Sequence, residues 1–280
     1  MPGTDQPDRL DALDLARSHA DRLVQVDGVV GVSLGGSHAR GAADQHSDID
    51  LGVYYRQPLD LAALRVLASA SAGRPTDVAG PGGWGPWVDG GAWLELETVR
   101  VDWILRDLDR VTAEWGRATR GEFSVHHQPG HPFGFVSTAY VGEVALGIVL
   151  ADTEAEIDRL KAAAQEYPER LRDAFDGWLW EAEFSLAIAA KSAERGDAAY
   201  VSMCVAHAVG IMAHALHARA GSWVVNEKGL VPGTATLPGA PADFAARAHA
   251  VCAGTGADPA SLQATLDEAG DLLTLVRSGS

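Results

Sequence analysis

The order of apolar and polar positions divides the chain into two textures. From Leu10 to Val26 apolar residues recur at helical spacing between Asp and Arg, and Gly28 closes the segment. Val29–Leu34, VVGVSL, is a short β-branched run that predicts a buried strand, and GGSHARG follows from Gly35 to Gly41. Asp48–Tyr55, DIDLGVYY, alternates at its start and predicts a second strand; Leu59–Ala72, entered through Pro58, predicts a helix. Residues 73–91 are rich in Gly, Pro and Trp and predict a long loop of the kind that often carries function. Ala92–Leu108 contains two strand-like runs with a turn expected near Glu97–Thr98. A helix is expected over Asp109–Arg120 and irregular chain over His126–Gly134.

From about Asp152 strand signals fade and Ala-rich helical patterns take over. They cover Thr153–Glu166, Pro168–Arg195, Asp197–Ala220, Ala242–Ala253 and Ala260–Val276. The expected fold is an α/β domain with a small mixed sheet over residues 1–148, followed by an all-α helical bundle over residues 149–280.

Charge narrows the function classes. The formal net charge of −16, with no basic run, argues against nucleic acid as a partner, since such binding needs Lys and Arg against phosphates. Acidity of this size either steers a cationic small molecule inward or serves solubility alone. The uninterrupted apolar runs, such as Val144–Ala151, fall short of the ~20 residues that span a bilayer. MPGTDQPDRL lacks the basic and apolar regions of a secretory signal. Cys204 and Cys252, far apart in sequence, are expected to be two buried thiols in a reducing cytoplasm.

Chemistry concentrates around the second strand. Strand alternation places Asp48 and Asp50 on one face, where two carboxylates repel unless something positive lies between them. A hard divalent cation with oxygen ligands, Mg²⁺ or Mn²⁺, meets that need. Asp102 sits inside the apolar run VRVDWIL, where a charge is costly unless paired or bound. If that strand neighbours DIDL, three carboxylates converge and can hold two metal ions, Asp48 and Asp50 between them and Asp102 on the side of the nucleophile. Gly35 and Gly36 let a backbone turn approach phosphate closely, Ser37 offers a hydroxyl and Arg40 a charge.

LGGSHARG followed by HSDIDLGV resembles the signature of the polymerase-β-like nucleotidyltransferase superfamily, and VRVDWILRD resembles its third-carboxylate strand. The match is specific over roughly residues 25–110. The layout, a small catalytic domain and then a helical bundle, resembles the antibiotic nucleotidyltransferases that act on aminoglycosides and lincosamides.

The resemblance implies ATP or another NTP as donor. It implies a hydroxyl of a small, cationic acceptor such as an aminoglycoside-like antibiotic, two Mg²⁺ ions, and pyrophosphate as product. It implies Lys191, and with less force Lys228 of the NEKGL stretch, as phosphate contacts, and a glutamate of the helical half as general base. Glu181 and Glu183 are the candidates; two apart on a helix, they cannot share a face, and Glu181 is the one carried forward. A homodimer is compatible with the family. Two other outcomes stay open: a nucleotidyltransferase-fold antitoxin or binding protein partnering a helical toxin, and an enzyme that nucleotidylates proteins. No carboxylate or cysteine joins His207, His214 and His217 at ligand spacing, and the loop His126, His127 and His131 are a similarly weak metal signal. The tryptophans of residues 84–93 could line an acceptor site or simply pack.

Overall fold

In the computed structural model, which describes residues 8–44, 47–96 and 99–279, the chain forms eleven α-helices and seven strands among those residues. Their order is α1 (Asp8–Leu23), β1 (Val29–Leu34), α2 (Gly36–Arg40), β2 (Ile49–Tyr55), α3 (Leu61–Ala72), β3 (Gly91–Glu95), β4 (Arg100–Asp107), α4 (Leu108–Ala118), β5 (Val125–Gln128) and β6 (His131–Val136). There follow α5 (Ala139–Leu146), β7 (Ile148–Asp152), α6 (Glu156–Ala164), α7 (Glu169–Ala193), α8 (Ala198–Arg219), α9 (Leu230–Gly233), α10 (Phe244–Ala253) and α11 (Pro259–Ser278). The turn expected at Glu97–Thr98 lies outside the described residues.

Two compact units share these elements. The first takes Met1–Gly116, His126–Gly130 and Tyr140–Glu166; the second takes Arg117–Val125, His131–Ala139 and Tyr167–Ser280. The first unit thus runs beyond the expected boundary at 148/149. The reason is β7, an unforeseen strand that pairs antiparallel with β1. The irregular segment expected at His126–Gly134 instead contains parts of β5 and β6, which lie where the chain passes from one unit to the other.

The first unit is built on a five-stranded mixed sheet in the order β3-β4-β2-β1-β7. The β2–β4 pair is parallel and the other pairs are antiparallel. The two-residue period divides each strand between two faces. Val32, Leu34, Ile49, Leu51, Val53, Val101, Trp103, Leu105 and Leu94 form one face, buried against Ala16, Ala20 and Leu23 of α1 and Leu64 and Ala68 of α3. Asp60 caps α3 by accepting from the Ala63 N–H, and Asp107 starts α4 by accepting from the Asp109 and Arg110 N–H groups.

On the opposite face Glu143 of α5 meets Arg106 of β4. Lys161 of α6 donates to the carbonyls of Ala145 and Gly147 at 2.7 Å, satisfying the end of α5.

The second unit is helical. The long helices α7 and α8 pack with α11 and α10 around Leu171, Phe175, Trp178, Met212, Leu262, Leu266 and Val276. Phe123 stacks on Phe175 with centroids 4.3 Å apart. By length and composition α8 could cross a membrane, yet 67% of its apolar window is buried within the protein, as in a core helix. Asp197 caps α8 by accepting from the Tyr200 N–H. Both cysteines are free; Cys204 is buried, but Cys252, on the outer side of α10, is exposed, correcting the expectation of two buried thiols.

Candidate active site

The site begins where β1 ends. The Gly35 N–H donates to the Asp50 carbonyl at 2.8 Å, tying the turn to β2. Gly36 opens α2 with φ +60°, and a Cβ placed there would stand 1.8 Å from Asp50 Oδ2. Glycine is therefore required at position 36 twice over, by the left-handed backbone and by the carboxylate packed against it. Ser37 is partly buried in this turn, its carbonyl accepting from the Ala42 N–H, while Arg40 is exposed at the end of α2.

Asp50 and Asp102 are direct partners in the parallel β2–β4 ladder, so both side chains stand on the same face of the sheet. Asp48 precedes β2 by one residue, and like the other two is only partly buried. Burial pushes the Asp102 carboxyl up to about 6; the charges of Asp50 and Asp48 push the same way, against Arg100. The donor set is three carboxylates, hard oxygen ligands of the kind Mg²⁺ and Mn²⁺ prefer, and the repulsion among them is what a divalent cation relieves. In chemistry these residues fit such an ion, and the ladder puts Asp50 and Asp102 side by side. Among the described residues, no three His, Cys, Asp or Glu side chains stand together as a ready metal-binding group.

The same face extends to β3. Trp93 is the antiparallel partner of Asp102 and is 64% exposed. Its ring stacks on Trp84, centroids 4.3 Å apart and planes 15° from parallel. The loop carrying Trp84 is held at many points. Ala79 and Gly91 exchange backbone hydrogen bonds, and Asp89 accepts from the Gly82 N–H at 2.8 Å and from the Tyr55 hydroxyl at 2.7 Å. Arg106 and Tyr140 donate to the Val88 and Trp87 carbonyls, and Gln128 donates to that of Trp84. Trp87 stacks on His126.

Four residues along β4 from Asp102, on the same face, stands one member of a pair that sequence reasoning missed. Arg106 is 4% exposed and makes a bidentate pair with Glu143 of α5 at 2.5 and 2.7 Å. A buried arginine inside an apolar strand was a signal of the same kind as Asp102, but its partner, 37 residues on, lies in a helix that periodicity did not mark.

The other candidates lie in the second unit. Glu181 accepts from Trp178 Nε1 at 2.6 Å and contacts His207 Nε2 at 2.9 Å; Glu183 is paired with Arg277 at 2.8 Å. Lys191 and Lys228 are exposed. His131 pairs with Glu227 at 3.1 Å, while His214 and His217 are buried.

Residues 16–86 match the model of the nucleotidyltransferase domain family. That span holds β1, the glycine turn, Asp48 and Asp50, and ends before Asp102. No curated protein matches the chain. A solved structure of a nucleotidyltransferase-like protein from Exiguobacterium sibiricum 255-15 aligns over 94% of this chain and 74% of its own, at 13% identity and a TM-score of 0.47, too distant to inform the site. Over residues 16–86 the chain is thus similar to the nucleotidyltransferase domain family.

Proposed function

We propose that this protein transfers a nucleoside monophosphate, AMP from ATP, to a hydroxyl of a small cationic acceptor, with divalent cations held by Asp48, Asp50 and Asp102. The observation that carries the reading is the register of the sheet: Asp50 and Asp102 stand side by side, next to a glycine turn whose first residue is bonded to Asp50 itself.

In the transfer, the acceptor oxygen forms a bond to the α-phosphorus and the bond from that phosphorus to the β-bridging oxygen breaks. Pyrophosphate leaves, and the hydroxyl proton passes to a carboxylate base or to water. The turn at Gly35 and Gly36 allows backbone N–H groups close to the phosphates, and Ser37 can donate its hydroxyl. Arg40 adds positive charge nearby. Bound Mg²⁺ or Mn²⁺ would neutralise the triphosphate and lower the pKa of the attacking hydroxyl. The acceptor's cationic character is supported by the net charge of −16. Glu181 as base and Lys191 and Lys228 as phosphate contacts rest on the family resemblance.

The test is pyrophosphate release from ATP with MgCl₂ or MnCl₂ against a panel of amino sugars and amino alcohols. Release is expected only with a divalent cation and an acceptor. Asp50→Asn and Asp102→Asn should each lower it by on the order of 10²-fold or more. A wild-type protein that neither binds ATP nor releases pyrophosphate with any acceptor would overturn the reading.

A further inference from the structure

The acidic row has two unlike ends. On one side is the glycine turn, at the end of β1. On the other, across β2 and β4, is Trp93 on β3. The order across one face is therefore phosphate turn, Asp50, Asp102, Trp93, with strands roughly 4.8 Å apart. Phosphoryl transfer places the attacking and leaving oxygens roughly in line. With the leaving pyrophosphate at the turn, the attacking oxygen enters from the side where Trp93 stands.

Trp93 is suited to a ligand there. A large indole left 64% exposed buries nothing on its outer side. It is fixed, not loose, because Trp84 backs it and the Trp84 loop is held by Tyr55, Gln128, Arg106 and Tyr140. Its neighbour in the ladder is a carboxylate, Asp102. An electron-rich ring face favours a protonated amine. Of the nearby cations, Arg74 is engaged by Glu95 at 2.6 Å, and Arg100 is the ladder partner of Glu95.

We infer that Trp93, backed by Trp84, is the acceptor-binding surface of this site, and that it selects an acceptor carrying a protonated amine close to its reacting hydroxyl. The inference rests on the reading of the carboxylate row as a nucleotidyl-transfer centre. It picks out, among the tryptophans of residues 84–93, the one that stands beside Asp102.

Indole ¹H–¹⁵N spectra test it. The Trp93 and Trp84 signals are assigned from Trp93→Phe and Trp84→Phe. The probes are 2-deoxystreptamine, a ring polyol with two ammonium groups, and myo-inositol, a neutral ring polyol. Both are titrated with and without Mg²⁺ and a non-hydrolysable ATP analogue. Deoxystreptamine should shift the signals of Trp93 and Trp84 at concentrations where inositol does not. Trp93→Ala should weaken deoxystreptamine binding about tenfold, while the affinity for the Mg²⁺-loaded analogue stays within twofold of wild type. Unmoved signals, equal shifts with inositol, or shifts caused by the nucleotide analogue alone would overturn the inference. The analogue titration reads the nucleotidyl-transfer proposal separately: its failure in wild-type protein sinks that reading, while the cation arm without nucleotide still reports on Trp93.

Discussion

A methyl group at position 36 would lie 1.8 Å from Asp50 Oδ2, closer than any side chain tolerates, on a backbone already at φ +60°. Gly36→Ala must therefore displace the carboxylate or open the turn. It is expected to cost about 1–3 kcal/mol of stability and to weaken binding of a Mg²⁺-loaded ATP analogue at least tenfold. Gly73→Ala supplies the control: φ is +66°, but nothing stands within 4 Å of its would-be Cβ. Urea denaturation should show strain in both variants, and calorimetric titration a loss of nucleotide affinity in Gly36→Ala alone. Equal affinities in the two would mean that Asp50 does not depend on the turn. At this scale the sequence was informative. Gly35, Gly36, Asp48, Asp50 and Asp102 stood out because a charge in an apolar strand and paired glycines after one are costly without a purpose. Trp93 stood out less, since nothing local says whether a tryptophan faces solvent.

Between elements, two ion pairs separate buried from exposed electrostatics. Arg106 of β4 and Glu143 of α5 are paired where the arginine is 4% exposed, with further hydrogen bonds to the Val88 and Leu105 carbonyls. Glu143→Gln leaves a desolvated guanidinium without its counter-charge and should cost about 3–5 kcal/mol. Arg56 of the β2 end meets Glu156 of α6 in a bidentate pair at 2.5 and 2.8 Å, and the side chains are 34% and 25% exposed. Arg56 holds Glu156 down at about 2, yet solvent and salt screen the pair. Glu156→Gln should cost about 1 kcal/mol or less. Urea midpoints of the two variants check both figures, and similar losses would show that burial does not control them. Strands β1 and β2 and the long helices were legible because periodicity is a property of consecutive residues. The elements α5 and β7 were not: Ala139–Asp152 is apolar without a clear period, and its structure is fixed by partners on β1 and β4.

For the molecule as a whole, buried histidines work against the fold as pH falls, in part offset by Asp102, whose raised value has the opposite sign. Burial lowers His214 to about 3 and His19 to about 4, from an ordinary value of 6.5, and lowers His217 as well. The folded chain holds these rings neutral. Above pH 6.5 the unfolded chain does too, so the full stability is present there. As pH falls below 6.5 the unfolded rings take up protons that the folded ones refuse, and stability is lost progressively toward the folded values. His214, packed among Phe133, Phe175 and Trp178, should by itself account for roughly 2–3 kcal/mol between pH 6.5 and 4.5. Urea midpoints at pH 7.5, 5.5 and 4.5 should show the fall in wild-type protein and a shallower one in His214→Leu; identical slopes would remove His214 as the cause.

By itself the sequence determined the strand–turn–strand core, the identity of the acidic residues and the helical character of the second half, because local spacing and residue chemistry dictate those without reference to distant chain. Only the tertiary structure decided that β2 and β4 pair in parallel with Asp50 beside Asp102. It also decided that Trp93 ends the same row, that Arg106 finds Glu143, and that the first unit reaches Glu166. Those outcomes depend on which strands become neighbours after crossovers and loop closures, and that is chosen by the burial of whole faces, a quantity no short window of residues contains.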